Sequence, residues 1–565
     1  MKPARGFGMW SRRMGLGCVL VLSPVDAPAQ PLAPFTEEAF QRGVNYVVEP
    51  PTFSMYGTGV GFADLDNDAD PDLVVLGRAD GRIGVYENDG TGRFTSRTSG
   101  TMMPTNRFYN GLSFADVDHD GDLDIYVSTY GSMACLFRNN GNFTFTNIAA
   151  SAGVANTGAG QGLSWGDFDN DGWLDLYLAN RTVASEGFPQ PNRLYRNNHN
   201  STFTEIAGML GVDDPGVMSF QGGFFDYDLD GDADLYVAED KGLPGCVWHN
   251  RFWRNDGATF TDISASSGAG ACMDGMCFTT ADFNADGLVD FYVTNIPPGN
   301  KLFIGRPDGT FTDEAPAAGV VSDNISWGAH FWDFDNDGRL DLFVTNQSAP
   351  NRLYRQVDSW PCPDIAAGMG VNFQPFSFTC ALADIDNDGD LDLAVSAVFQ
   401  PLKIYINHEG ERRNWVRLRV ISDSARRDAI GAIARVTSVG RTQMLELTST
   451  GGFKSQNQAI LHFGLDQATV VDQIEVTWPA GGPGARTRML RNYPANRTWT
   501  IYPESKLGDV DHSGTMTSAD FMGFMECFFA AAPAGYQPGC EMMDFDGDGQ
   551  PTSIDFFAFL DRFFR

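Results

Sequence analysis

Aspartates recur seven times along the chain on one grid, at loop positions 1, 3, 5 and 9, and that grid suits a bound metal. The sets are Asp64, Asp66, Asp68 and Asp72; Asp116, Asp118, Asp120 and Asp124; Asp167, Asp169, Asp171 and Asp175; Asp226, Asp228, Asp230 and Asp234; Asp282, Asn284, Asp286 and Asp290; Asp333, Asp335, Asp337 and Asp341; and Asp384, Asp386, Asp388 and Asp392. Carboxylates this close repel one another unless a cation shares their oxygens. Calcium takes about six to eight oxygen ligands, and a loop with carboxylates at these positions, a backbone carbonyl at 7 and a glycine near 6 can wrap around it. One copy alone would also read as a solvated acidic turn. Seven copies in register do not. Asn284 is the single departure from aspartate, and it still presents a carbonyl oxygen.

The elements that must position these loops are strands. The first aspartates lie 52, 51, 59, 56, 51 and 51 residues apart, a period that signals a repeat architecture. In each unit an apolar stretch such as "GLSFA" precedes the loop and an alternating strand such as "LDIYVST" follows it. A third strand, "RLYRNN" in one unit, leads through a polar turn into "STFTEIA". Four short strands per unit at this spacing predict the blades of a β-propeller, with the metal loop joining the first two strands. The seventh unit lacks its FT-type fourth strand, whereas "FTEEAFQRGV" at 35–44 matches "FTNIAASAGV", "FTEIAGMLGV" and "FTDEAPAAGV". An open ring would leave an unpaired sheet edge, so Phe35 to Ala39 is expected to complete the seventh blade.

The repeats resemble the FG-GAP or VCBS calcium repeats of integrin α-subunit propellers and bacterial secreted proteins, over about residues 35–410. The resemblance implies a mainly β chain with a seven-bladed propeller over 30–412 and about seven structural Ca²⁺ ions. Further on, "NWVRLRV", "RRDAIGAIARV", "GGFKSQNQAILHFGL" and "VDQIEVTWPAG" resemble the ASPIC/UnbV domain, which follows such propellers in relatives of cartilage acidic protein. It is expected as a small β-sandwich-like domain over 413–503. Its polar residues Arg427, Asp428, Ser455, Gln456 and Gln458 read either as a ligand site or as turn and interface residues.

Residues 504–565 carry two more loops. Asp509, Asp511, Ser513, Thr517 and Asp520 fall on positions 1, 3, 5, 9 and 12 of one, and Asp544, Asp546, Asp548, Thr552 and Asp555 on those of the other. Each runs into an apolar helix whose aromatics share one face: Phe521, Phe524, Met525 and Phe528, then Phe556, Phe559, Leu560 and Phe563. The pair resembles a type I dockerin, an EF-hand-like module. That resemblance implies up to two further Ca²⁺ ions and a cohesin-like or surface-scaffold partner. Ser513 and both position-9 threonines depart from the pattern, which points to weaker metal binding at the first loop.

Composition and termini agree with export. At 565 residues several domains are expected, and a net charge of −33 argues against nucleic-acid binding. Residues 1–29 read as a signal peptide: Lys2, Arg5, Arg12 and Arg13 precede "MGLGCVLVL", and Ala27-Pro28-Ala29 offers a cleavage site. No stretch is long and apolar enough for a membrane span. Cys527 with Cys540 and Cys362 with Cys380 are local disulfide candidates, while Cys135, Cys246, Cys272 and Cys277 stay unassigned. Zinc is a rival reading for Cys272 and Cys277.

Catalytic constellations are decoys. "GLSWG" at 162–166 spells G-x-S-x-G, but Ser164 occupies a repeat column on a strand entering a metal loop. Two functions stay open. One is a secreted calcium-rigidified binding or adhesion protein with a glycan or protein ligand, tethered by its tail. The other is an extracellular polysaccharide-acting enzyme or accessory protein with a pocket over the propeller's channel.

Overall fold

Around each aspartate grid the chain folds into an antiparallel sheet whose first hairpin is the metal loop. The computed structural model describes residues 33–50, 56–105, 107–181, 190–240, 249–422, 427–479, 486–508, 518–530, 540–550 and 552–563. The proposed signal peptide and the loop residues Asp509, Asp511 and Ser513 fall outside them.

Seven sheets form the propeller. In blade two, for example, Tyr109–Ala115 is innermost, followed by Asp124–Thr129, Cys135–Asn139 and Phe145–Asn147. In blades two and three the inner and second strands are buried along their whole length, because each is covered by neighbouring blades. The position-9 aspartate always opens the second strand, opposite the last residue of the inner strand, as in Ala115↔Asp124, Gly166↔Asp175 and Ala383↔Asp392. In blades two, three and five the outer FT strand runs into a one-turn helix closed by a left-handed glycine, Gly153 at φ 81° in blade two. The second-strand tyrosine anchors that turn: the Tyr126 hydroxyl donates to the Val154 carbonyl at 2.9 Å.

Blade seven takes its outer strand from the other end of the chain. Phe35–Glu37 pairs antiparallel with Lys403–Asn407, in the register Phe35↔Asn407. A second clasp pairs Val47–Val48 with Gln400–Pro401. Blade six departs from the expectation of four strands. Its sheet has only Ser326–Trp332, Asp341–Asn346 and Arg352–Tyr354, and the fourth strand shrinks to one bridge, Tyr354↔Asp364. "CPDIAA" replaces the FT motif there, and prolines 361 and 363 remove the amides a ladder needs.

The next domain is a β-sandwich. Asn414–Val420 lies between Leu461–Asp466, antiparallel, and Arg497–Ile501, parallel. The facing sheet runs Arg441–Glu446, Ile433–Ser438, Val470–Trp478, Arg486–Pro494. Val416, Leu418, Val436, Phe463, Ile474 and Trp499 fill the space between. In the tail, helices Ser518–Ala530 and Ser553–Phe563 stack Phe524 on Phe559 with centroids 4.1 Å apart, and Cys527 bonds Cys540. Cys362 and Cys380 are not joined. Both are free, one on the outer loop of blade six and the other on the innermost strand of blade seven. The zinc alternative fails as well, since Cys272 is disulfide-bonded and Cys277 is a buried free thiol. Among the described residues no helix is long and apolar enough to cross a membrane.

Candidate metal centres

Six of the seven loops, all but that of blade one, are organised by their first aspartate. The position-5 and position-6 amides donate to its two oxygens: Asp171 N to Asp167 Oδ1 at 3.0 Å and Gly172 N to Oδ2 at 2.8 Å. Asp116, Asp226, Asp282, Asp333 and Asp384 repeat the pattern. The position-5 carboxylate accepts the position-7 amide, as in Asp122 N to Asp120 Oδ1 at 2.9 Å. The position-6 glycines hold φ between 82° and 99°, where a Cβ is costly. Blade one has Ala69 there, at φ 79°.

The position-9 aspartates, Asp72, Asp124, Asp175, Asp234, Asp290, Asp341 and Asp392, are buried clasps. Asp392 Oδ1 accepts from Asn407 N at 2.9 Å and Oδ2 from Ile385 N at 3.0 Å, tying the third strand to the start of its own loop.

The donor set fits a hard cation. In five loops Oδ1 of the position-3 aspartate, at Asp66, Asp118, Asp169, Asp335 and Asp386, is buried without a hydrogen-bond partner. Asp64 Oδ1 and Asp341 Oδ2 share that condition. An orphaned buried carboxylate oxygen is costly unless a cation takes it. Carboxylate oxygens converge within 4.8 Å of one another in the sets Asp64, Asp66, Asp68; Asp116, Asp118, Asp120; Asp167, Asp169, Asp175; Asp226, Asp228, Asp230; and Asp333, Asp335, Asp341. These groups could hold metal ions, and an all-oxygen set favours calcium over zinc or copper. Burial, reinforced by neighbouring carboxylates, pushes Asp116, Asp167 and Asp226 up to about 7, and Asp72 and Asp290 to about 8. Asp333 is pushed well above the usual carboxylate range by burial and by Asp337 and Asp335.

One column of site residues is missed by the sequence reading. The asparagine ending the third strand donates its side-chain amide to the position-2 carbonyl of the preceding loop: Asn139 to Leu65 O at 2.8 Å, Asn197 to Val117 O at 3.2 Å, Asn255 to Phe168 O at 2.6 Å and Asn407 to Phe334 O at 2.7 Å. Gln356 does the same to Phe283 O, and Asn88 to Ile385 O at 2.8 Å closes the ring from blade one to blade seven. Blade five breaks the series, because Gly305 stands where the amide is needed. The repeated "RNN" is the signal that could have exposed this column.

The sandwich domain covers the metal-loop face. Arg417 Nη1 lies 2.5 Å from Asp384 Oδ2, Arg413 Nη1 3.1 Å from Asp335 Oδ2, and Arg419 and Arg427 3.5 and 3.4 Å from Asp64 Oδ2. His462 Nε2 lies 2.7 Å from Asn336 Oδ1. Residues 448–458 leave the sandwich and run between the inner strands of several blades. Ala329 O accepts from Gly452 N at 3.3 Å, Gly452 O from Cys380 N at 3.0 Å, and Lys454 O from Leu112 N at 3.2 Å, while Phe62 N donates to Gln456 O at 3.2 Å. The expected pocket over the channel is therefore filled on this face by the chain's own Phe453 and Lys454, both buried. Ser164 is equally spoken for. It is buried, and its Oγ meets Trp165 O and Ser449 Oγ and accepts from Phe224 N. Of the five polar residues singled out in this domain, Arg427, Ser455 and Gln456 bond the propeller through their side chains and Gln458 through its backbone amide, which donates to Leu382 O at 3.1 Å, so four of them are interface residues.

The tail's second loop repeats the scheme. Asp548 N donates to Asp544 Oδ1 at 3.1 Å and Gly549 N to Oδ2 at 3.2 Å, and Asp555 accepts from Phe545 N and Thr552 N, both at 2.8 Å. Asp546 stands beside them, pushed up to about 6 by burial and Asp555. Here Asp544 also accepts from the Tyr493 hydroxyl of the sandwich. Asp520 is buried at the start of its helix.

Comparison with known proteins agrees with this architecture. A model of the FG-GAP-like repeat matches residues 64–127, 127–178, 226–293, 282–344 and 333–395, together half of the chain. A model described as ASPIC and UnbV matches 422–507. Cartilage acidic protein 1 of Homo sapiens is 26% identical over 543 residues, covering 85% of this chain and 77% of its own. The protein of the same name from Xenopus tropicalis is 26% identical over 486 residues, covering 75% and 70%. Among solved structures, BBS1N in complex with ARL6DN aligns with TM-score 0.42 at 10% identity, over 65% of this chain and 94% of that one. YCF48 bound to D1 peptide aligns with TM-score 0.40 at 9% identity, over 67% and 97%. With its repeats matched over half its length, the chain belongs to the FG-GAP-like repeat family and carries an ASPIC and UnbV domain behind its propeller.

Proposed function

We propose that the protein is a secreted, non-catalytic binding or adhesion protein whose propeller is made rigid by calcium, about one ion per blade loop. The orphaned position-3 oxygens carry this reading, because repeated buried carboxylate atoms without partners are explained by a shared cation and by little else. In that role Asp64, Asp116, Asp167, Asp226, Asp282, Asp333 and Asp384, with the position-3, position-5 and position-9 groups, hold calcium, and the position-9 aspartates also lock loop to strand. The metal then holds blades together and does no chemistry. Up to two further ions sit in the tail, through Asp509, Asp511, Ser513 and Asp520 and through Asp544, Asp546, Asp548 and Asp555. The tail tethers the protein through a dockerin-like contact with a cohesin-like or surface scaffold, and a glycan or protein is the ligand of the body. The relatives are named for cartilage, a tissue made mostly of extracellular matrix, which supports an extracellular setting.

The test is retention. Residues 30–565, and a truncation ending at Pro503, are passed over immobilised polysaccharides and cell-envelope fractions with calcium and then with chelator, and the eluates are assayed for released sugar. Calcium-dependent retention without release is the expected result, and the truncation reports which end binds. Release of oligosaccharides would replace this reading with the polysaccharide-acting enzyme.

A further inference from the structure

A cavity of ≈ 170 Å³ lies between the sandwich domain and the metal loops of blades one to three. At about 10–15 Å³ per water position it has room for about a dozen heavy atoms, the size of one hexose ring. Its polar lining divides into committed and uncommitted groups. Arg419 and Arg427 are held by Asp64, so their charge is already answered. The Gln456 side chain is nine-tenths buried and its orientation is fixed: Oε1 accepts from Phe114 N at 2.8 Å and from the Ser113 hydroxyl. An amide oxygen anchored by a backbone N–H leaves the NH₂ as the free end. Among the described residues nothing accepts from that NH₂, and nothing hydrogen-bonds the side chains of Gln458 or Asp428, which line the same cavity.

The Gln456 NH₂, the Gln458 amide and the Asp428 carboxylate, none with a hydrogen-bond partner among the described residues, form a particular recognition set. A carboxylate accepts from a hydroxyl while an amide NH₂ donates to one, so adjacent hydroxyls, each both donor and acceptor, satisfy the set. Arg419 and Arg427 are paired with Asp64, and Asp116, Asp167 and Asp171 are among the groups assigned above to calcium, so the lining presents no strong field of one sign and a neutral molecule is favoured. Trp478 and Pro479 add an apolar wall, and the indole is fixed by its Nε1 donating to Ile421 O at 2.8 Å. An apolar wall opposite paired donors and acceptors suits a sugar, which is apolar on its C–H face and polar at its rim.

We propose that this cavity is a saccharide site for one neutral hexose-type unit, held by Asp428, Gln456 and Gln458 against the Trp478 wall. The assignment rests on the binding-protein reading and gives its ligand a class and a place. Neutral sugars are the probes: methyl glycosides of glucose, galactose and mannose, and N-acetylglucosamine, are titrated calorimetrically into the full chain with calcium. Wild type is expected to bind at least one of them, and Asp428→Asn and Gln458→Ala to weaken it about tenfold or more, as loss of a hydrogen bond to a charged or buried group does. Melting curves with calcium verify that both variants fold. Wild type binding none of the probes, or both folded variants binding as wild type does, would overturn the cavity assignment. Polysaccharide retention that survives both substitutions would overturn it too, while leaving the broader binding function standing.

Discussion

The side-chain amide of Asn139 in blade two donates to the carbonyl of Leu65 in blade one, 2.8 Å away, so a residue outside either metal loop fixes one loop to the next. The same amide donates to Leu123 O at 3.3 Å, and its oxygen accepts from Gly141 N at 3.0 Å. Removing it strands buried carbonyls and an amide. Asn139→Ala is expected to cost about 1–3 kcal/mol, read from urea unfolding in saturating calcium. A loss no greater than that of Met209→Ala, a control on an exposed side chain, would show that the stitch between blades carries little stability.

What the sequence reveals and what it hides follow from distance along the chain. The blades are legible because hairpin strands and their loop lie within one repeat, and the aspartate grid marks each hairpin. Completion of blade seven by Phe35–Glu37 is legible for a different reason: the FT motif is a copy that can be recognised out of place. The course of residues 448–458 is not legible. "GGFKSQNQ" carries part of the ASPIC/UnbV resemblance and leaves an interface reading open for Ser455, Gln456 and Gln458, but the partners of this segment, such as Asn110 for Lys454 Nζ at 2.9 Å, lie hundreds of residues away with no periodicity to announce them. The asparagine column was hidden by its appearance as turn composition.

The calcium binding proposed for these loops would be coupled to pH with a definite sign. Asp116, Asp167 and Asp226 rise to about 7, and Asp72 and Asp290 to about 8, in the metal-free fold, chiefly through burial, against an ordinary value of 3.8. Groups raised in the folded state hold more protons there than in the unfolded chain, so the chelated protein loses stability as pH rises from about 4 to about 8. Calcium displaces those protons, so its stabilising effect grows over the same range. Melting temperatures at pH 5 and pH 8, with calcium and with chelator, should show a small gap at the lower pH and a large one at the higher. A gap independent of pH would refute the coupling, and no gap at all would refute calcium binding.

Blade one carries its own defect. Ala69 holds φ 79° where the other six loops have glycine, and its side chain is exposed. The left-handed conformation costs a non-glycine residue about 1–2 kcal/mol, and glycine gives back about half of that in chain entropy. Ala69→Gly is therefore expected to stabilise the protein by about 0.5–1 kcal/mol in chemical denaturation, whereas Gly172→Ala should destabilise it. A destabilised Ala69→Gly would mean the loop is not strained at this position.

Arg417 offers the sharpest separation of electrostatics from packing. Its guanidinium is buried against Asp384, stacks on Trp415 at 5.0 Å and donates from Nε to Thr498 Oγ1 at 2.8 Å. A fixed positive charge beside the first aspartate of blade seven opposes a divalent cation at that loop, while in the chelated protein it is what compensates the carboxylate. Arg417→Gln keeps a planar donor and removes the charge, so its two effects should have opposite signs. Without metal the variant should melt lower than wild type, because a buried carboxylate loses its counter-ion. With calcium in excess the deficit should shrink, and calorimetric titration should show one site of raised affinity. A deficit of equal size in both conditions would mean that Arg417 acts through packing alone and that the sandwich domain does not sense the metal beneath it.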